Sequence, residues 1–209
     1  MPAKIRILVA DDHPTIRKGL TATLEPEPDM EVVGAAATRH EAVAMWQEIR
    51  PDITLMDLAF EGGDGGVDAI REIRTHSPSA KIIVFSALTG DEDVFQALRS
   101  GAVTFLTKEM PDEELVQTIR DVHAGGRPIP PEIARKLADR LTQSSLTARE
   151  VEVLSLVARG YRNKEVASAL CISEETVQGH MKHILSKLGV NDRTRAAIVA
   201  AQRGIIRLR

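Results

Sequence analysis

Through residue 124 the chain alternates between short apolar runs rich in β-branched residues and longer stretches whose apolar positions recur at helical spacing. Five runs read as strands: Ile5 to Ala10, Glu31 to Ala35, Ile53 to Met56, Lys81 to Phe85 and Thr104 to Thr107. Helices are predicted near 14–24, 39–49, 66–75, 91–100 and 112–123. The strands are largely apolar throughout rather than strictly alternating, as in a parallel sheet covered on both faces. The expected architecture is an α/β domain of five βα units, with sheet order 2-1-3-4-5, one of the common doubly wound arrangements.

Local signals agree with that pattern. Thr38 followed by Glu41 is a capping-box signature for the second helix, and Ser77-Pro78-Ser79 punctuates the chain before the fourth strand. The breakers in Ala124-Gly125-Gly126-Arg127-Pro128-Ile129-Pro130-Pro131 end the first domain, and a short helix over 132–141 leads onward. From Leu146 only helical spacing remains, with Gly160 and Gly189 as stops and Ser173 as a cap, so the second domain reads as all-α. The expected division is 1–124, a linker over 125–145, and 146–209.

A chain of 209 residues suits two modest cores. Its net charge of -3 hides an asymmetry: residues 1–145 carry 16 Lys/Arg against 24 Asp/Glu, a net of -8, whereas residues 146–209 carry 11 against 6, a net of +5. The basic half can meet nucleic acid, although so small an excess also describes an ordinary solvated surface. Cys171 is the only cysteine, which excludes an internal disulfide or a thiolate metal cluster; a small buried apolar position is its expected place. No stretch approaches the roughly 18 unbroken apolar residues of a membrane helix. The N-terminus runs into Lys4-Ile5-Arg6 without a signal-peptide apolar run, so a soluble, cytoplasmic protein with no membrane partner is expected.

Polar residues stand at the C-terminal ends of four predicted strands: Asp11 and Asp12, Asp57, Ser86, and Lys108. Ligand sites of open α/β sheets lie at those ends, and with the first and third strands adjacent the three carboxylates crowd together. They repel unless compensated. Mg²⁺ is a natural compensator because it keeps several waters and needs few protein oxygens. Lys108 would arrive from the far side as a fixed positive charge, and the Ser86 hydroxyl can donate to a phosphoryl oxygen, so the set suits in-line transfer to Asp57. Any one of these residues alone is more simply a helix cap or a solvated loop residue; five in register are not.

The segments Asp11-Asp12-His13-Pro14, Leu55-Met56-Asp57-Leu58, Phe85-Ser86-Ala87 and Gly101-Ala102-Val103-Thr104-Phe105-Leu106-Thr107-Lys108 resemble the motifs of response-regulator receiver domains. The resemblance implies a flavodoxin-like fold, Asp57 as phosphoacceptor, direct Mg²⁺ ligation by Asp12, Asp57 and the Ala59 carbonyl, and Asp11 reaching the ion through water. It also implies that Asp57, Ser86 and Lys108 assist phosphorylation and dephosphorylation. Ser86 and Phe105 match the family's switch pair: the hydroxyl moves toward the phosphoryl group, the aromatic follows, and a pre-existing equilibrium shifts.

Two departures stand out. Asp57-Leu58-Ala59-Phe60-Glu61-Gly62-Gly63-Asp64-Gly65-Gly66-Val67 has Glu61 where receivers usually have proline, and one glycine looks inserted. Without a GxxxxGK[ST] pattern these glycines read as a flexible loop beside the metal rather than a phosphate cradle. Glu109 stands where many receivers carry proline after a cis bond, a geometry that costs a non-proline residue roughly 2.5–4 kcal/mol.

In 174–188 Val177, Met181, Ile184 and Leu188 form one apolar stripe, while Glu175, Gly179, Lys182 and Ser186 point away from it with Gln178 alongside. A short helix, Asn163 to Leu170, and the turn Cys171-Ile172-Ser173 precede it in helix-turn-helix proportions, which an ordinary αα-hairpin shares. Leu146-Thr147-Ala148-Arg149-Glu150, Asn163-Lys164-Glu165-Val166-Ala167, Ile172-Ser173-Glu174-Glu175-Thr176-Val177 and His180 through Arg193 resemble the four-helix LuxR-type DNA-binding domain. That resemblance implies a recognition helix in the major groove, with Gln178, Gly179 and Lys182 nearest base edges and Thr176 near the backbone. Lysine is usual at the Gln178 position; glutamine can bridge adenine N6 and N7 instead. Gly179 costs a mid-helix position about 1 kcal/mol relative to alanine, which either close approach to DNA or simple tolerance accommodates.

Together these features point to a NarL/FixJ-type two-component response regulator. A sensor histidine kinase would phosphorylate Asp57, a homodimer would form on activation, and paired helices would bind a double-stranded operator, with RNA polymerase a further candidate partner. The alternative is a regulator that binds DNA without phosphorylation, its pocket vestigial. A phosphatase using Asp57 as nucleophile lacks the second acid two residues on, where Ala59 stands.

Overall fold

The computed structural model describes residues 3–60, 65–141 and 144–207. Glu61 to Asp64, within the unusual loop, lie outside the described residues. The chain divides into two compact units, 1–88 with 94–135, and 89–93 with 136–209.

In the first unit β1 (Ile5–Ala10), β2 (Met30–Ala36), β3 (Ile53–Met56), β4 (Ile82–Ser86) and β5 (Thr104–Thr107) form one parallel sheet in the order β2-β1-β3-β4-β5. The helices between and after them are α1 (Pro14–Leu24), α2 (Arg39–Ile49), α3 (Gly65–His76), α4 (Asp91–Arg99) and α5 (Asp112–His123). The strands are largely apolar because both faces of the sheet are covered, although Glu31 on the edge strand β2 is exposed. Leu8, Met56, Ile82, Val84 and Phe105 pack with Val43 and Trp46 of α2 and Ile70 and Ile73 of α3. The alternate residues, among them Ile7, Val9, Leu55, Ile83 and Leu106, pack with Leu20 and Leu24 of α1 and Leu115, Ile119 and Val122 of α5. Trp46 is therefore a core residue.

Pairing of Ala10 with Met56 ends β1 and β3 level with each other. The residues that follow, Asp11 and Asp57, are then fixed by the backbone: Asp57 N donates to Ala10 O at 2.8 Å and Asp11 N to Ala36 O at 3.1 Å. At α2 the Thr38 hydroxyl accepts from Glu41 N at 3.2 Å, but the Glu41 carboxylate reaches one residue further back than a standard box, to Ala37 N at 2.8 Å. The described peptide bonds include no cis bond.

After α6 (Pro131–Leu141), the second unit holds α7 (Ala148–Ala158), α8 (Asn163–Leu170), α9 (Glu174–Leu188) and α10 (Arg193–Gln202). Val153, Leu154, Val166, Val177, Met181, Ile184, Ala196 and Ala200 make their common core. Gly160 and Gly189 stop α7 and α9 with φ of 92° and 65°. Cys171 corrects an expectation: it is exposed, not buried. It occupies the left-handed cap of α8 with φ of 53°, a conformation that ends the helix and turns the side chain away from the core. Among the described residues no helix is long and apolar enough to cross a membrane.

Candidate functional site

The polar residues expected at the strand ends come together. Asp11 and Asp57 are 1% and 2% exposed, and Ser86 is fully buried. Asp57 Oδ1 accepts from the Ser86 hydroxyl at 2.6 Å and from Ala59 N at 3.2 Å, and its Oδ2 accepts from Lys108 Nζ at 2.6 Å. Lys108 Nζ also lies 2.6 Å from Asp11 Oδ2, so the ammonium bridges two carboxylates rather than standing off on the far side. Burial works against the charged Lys108, but Asp11 and Asp57 outweigh it and hold its pKa above the ordinary lysine value. Phe105 lies fully buried on the neighbouring strand, beside Val84 in register.

One ammonium does not balance three carboxylates. Asp11 Oδ2 and Asp12 Oδ1 are buried oxygens without a well-aligned hydrogen bond. Their close neighbours are Lys108 and, 2.6 Å from Asp12 Oδ1, His13 Nδ1. Ligand atoms of Asp11, Asp12, His13 and Asp57 lie within 4.8 Å of one another. Hard oxygens with excess negative charge in so small a space fit Mg²⁺.

In the second unit α8, the turn at Cys171 and α9 form a helix-turn-helix. The Ser173 hydroxyl caps α9 by accepting from Thr176 N at 3.1 Å. Val177, Met181 and Ile184 are buried, whereas Thr176, Gln178, Gly179 and Lys182 are all exposed on one continuous surface of α9. Glu150, only 3% exposed, holds this helix to α7: its carboxylate accepts from Lys187 Nζ and from Thr147 N, both at 2.7 Å. Desolvation alone would raise the Glu150 pKa, but Lys187 and the Thr147 backbone and hydroxyl together hold it below the ordinary value.

Residues 7–120, more than half of the chain, match the response regulator receiver domain. The chain is a response regulator. Residues 144–200 of this response regulator match the luxR family of bacterial regulatory proteins, so a LuxR-type DNA-binding domain follows the receiver. It is 39% identical to the transcriptional regulatory protein LiaR of Bacillus subtilis over 97% of this chain and 99% of that one. Identity to the response regulator protein VraR of Staphylococcus aureus is 37%, with the same coverage. Among solved structures, the response regulator ChrA of a heme-sensing two-component system is 31% identical with a TM-score of 0.57, covering 98% and 100% of the two chains. A complex of the response regulator RcsB with DNA gives 25% and 0.68, covering 95% and 98%.

Three contributors to this response regulator's sites escaped sequence reasoning. A Cβ at Gly66 would lie 2.1 Å from the Asp57 carbonyl oxygen and 2.5 Å from Leu58 Cα, so this glycine is required by close packing of α3 rather than by loop flexibility. A missing side chain leaves no positive signal in a glycine run. Arg17 donates to the Asp11 carbonyl at 2.6 Å, which periodicity along α1 does not mark. Glu150 did carry a signal: Thr147 followed three residues later by glutamate is a capping-box signature, and the structure forms both of its bonds.

Proposed function

We propose that this response regulator is switched by phosphorylation of Asp57 and that the switch controls operator binding through α9. The observation that carries the reading is the buried Asp57 carboxylate, engaged at both oxygens by Ser86, Ala59 and Lys108 beside two further acids. A sensor histidine kinase is the donor. The phosphorus–nitrogen bond of its phosphohistidine breaks as a bond to an Asp57 carboxylate oxygen forms. Lys108 steadies the attacking carboxylate and then a phosphoryl oxygen, and Ser86 exchanges its bond to Asp57 for one to the phosphoryl group. Asp12, Asp57 and the Ala59 carbonyl would hold Mg²⁺ directly and Asp11 through water. When bound, the ion neutralises charge on the transferring group.

Residues 1–124 constitute the phosphoacceptor domain, 125–145 the linker and 146–209 the DNA-binding domain. Ser86 and Phe105 couple the adduct to the α4-β5-α5 face, and dimerisation follows. Two copies of α9 then read half-sites about one helical turn, roughly 10 bp, apart. Gln178, Gly179 and Lys182 face base edges, and Thr176 faces the phosphate backbone. The protein works in the cytoplasm, where RNA polymerase is a candidate partner. Incubation with a small phosphodonor and Mg²⁺ followed by intact mass tests the chemistry. One phosphoryl adduct is expected, absent in Asp57→Ala; no adduct on the wild type refutes the reading.

A further inference from the structure

The remaining question is which base pairs α9 reads. Opposite the buried stripe of Val177, Met181 and Ile184, a projection at about 100° per residue places Gly179 at the outermost line of the helix, with Ser186 two turns further along. Exposed Lys182 and His183 lie on either side of that line, Gln178 stands about a quarter turn away on the Lys182 side, and Glu175 lies close to the line one turn before Gly179. The part of α9 that reaches deepest into a groove is therefore a notch, with its smallest residue at the front.

The fold does not require glycine there. Gly179 lies inside the right-handed helix, unlike Gly160 and Gly189 with their positive φ. A Cβ at Gly179 meets nothing within 4 Å, unlike one at Gly66. Gly19 on α1 is equally open, so openness alone decides nothing; what distinguishes Gly179 is its place on the reading surface. An alanine would favour the helix and fit the free protein.

We infer that Gly179 is a specificity-determining residue that makes room for the 5-methyl group of a thymine. This rests on α9 being the DNA-reading helix. The missing Cβ leaves space for about one methyl group, and in the major groove thymine is the base that projects one. Gln178, one residue away, has the amide geometry that bridges adenine N6 and N7. The two residues read neighbouring pairs: an adenine held by Gln178, and a thymine whose methyl group rests against the Gly179 Cα.

The test uses the full-length chain, phosphorylated with a small phosphodonor, and duplexes selected by it from a random pool. Gln178→Ala locates the adenine as the position whose preference relaxes. The neighbouring thymine is then replaced by uracil, which lacks only the methyl group. Wild type should lose about fourfold in affinity, the worth of roughly one buried methyl. Gly179→Ala should lose about tenfold on the thymine duplex and recover most of that on the uracil duplex, a clash at one position. Its thermal midpoint should stay at or above wild type, which separates the effect from misfolding. Equal binding of Gly179→Ala and wild type overturns the inference, as does an equal loss on both duplexes or no thymine beside the adenine. If wild type selects no sequence at all, the assignment of α9 as the reading helix falls as well.

Discussion

Glu150→Gln isolates the contact that sets α9 against the rest of its domain. The Glu150 carboxylate is almost wholly buried and takes charge-assisted bonds from Lys187 on α9 and the Thr147 backbone. Both bonds end on Glu150 Oε2, and glutamine, nearly the same shape, can place its carbonyl oxygen there, so the loss is confined to the negative charge that Lys187 faces. Hydrogen bonds to charged groups contribute about 1.5–3 kcal/mol. The Lys187 side chain is 29% exposed and can recover part of its hydration, which brings the expected cost to about 1–2 kcal/mol. For a domain this size that lowers the melting temperature by roughly 4–8 °C per kcal/mol.

The effect also has a pH signature. Because the folded-state pKa of Glu150 is depressed below its ordinary 4.5, its stabilisation is complete above that value and disappears as the pH falls through the lower folded value. The gap between wild type and Glu150→Gln, measured by thermal melts of the full chain followed at the unfolding of the α7–α10 unit, should be open at pH 7 and narrow below about pH 4. A gap that is absent at pH 7, or that persists unchanged in acid, would refute the pairing.

Three further outcomes follow from the receiver. Thr54 Oγ1 is buried on β3 without a hydrogen-bond partner among the described residues, so Thr54→Val should stabilise the domain by about 1 kcal/mol in urea titrations. Gly66→Ala should destabilise it by more than about 2 kcal/mol and impair adduct formation, since its Cβ meets the Asp57 backbone; wild-type stability would contradict the packing. Lys108→Met leaves Asp11 and Asp57 without their shared ammonium and should cost about 3–5 kcal/mol. Mg²⁺ should restore more stability to that variant than it adds to wild type, as read by melts with and without the ion.

The fold was legible because its strong signals are local and periodic. Apolar runs located every strand to within a residue or two, and Thr38, Ser173, Gly160 and Gly189 marked helix ends through their own backbone chemistry. The site was legible for a related reason: in a parallel sheet, residues that follow adjacent strands must meet, so Asp11, Asp57, Ser86 and Lys108 were placed by topology. Details set by three-dimensional geometry were not legible. The bridging position of Lys108 depends on how its long side chain crosses from β5 to both acids. The exposure of Cys171 depends on a single left-handed φ, and the need for Gly66 on a contact with Asp57 that no spacing encodes.

The link from Asp57 to α9 is tested most directly by one titration. A selected operator duplex is bound to the full chain, with and without prior treatment with phosphodonor and Mg²⁺, and the same is done with Asp57→Ala. Treatment should tighten wild-type binding at least about tenfold, within the usual range for coupling between sites, and should leave Asp57→Ala unchanged. Equal affinity of treated and untreated wild type, once the adduct has been verified by mass, would contradict phosphorylation control.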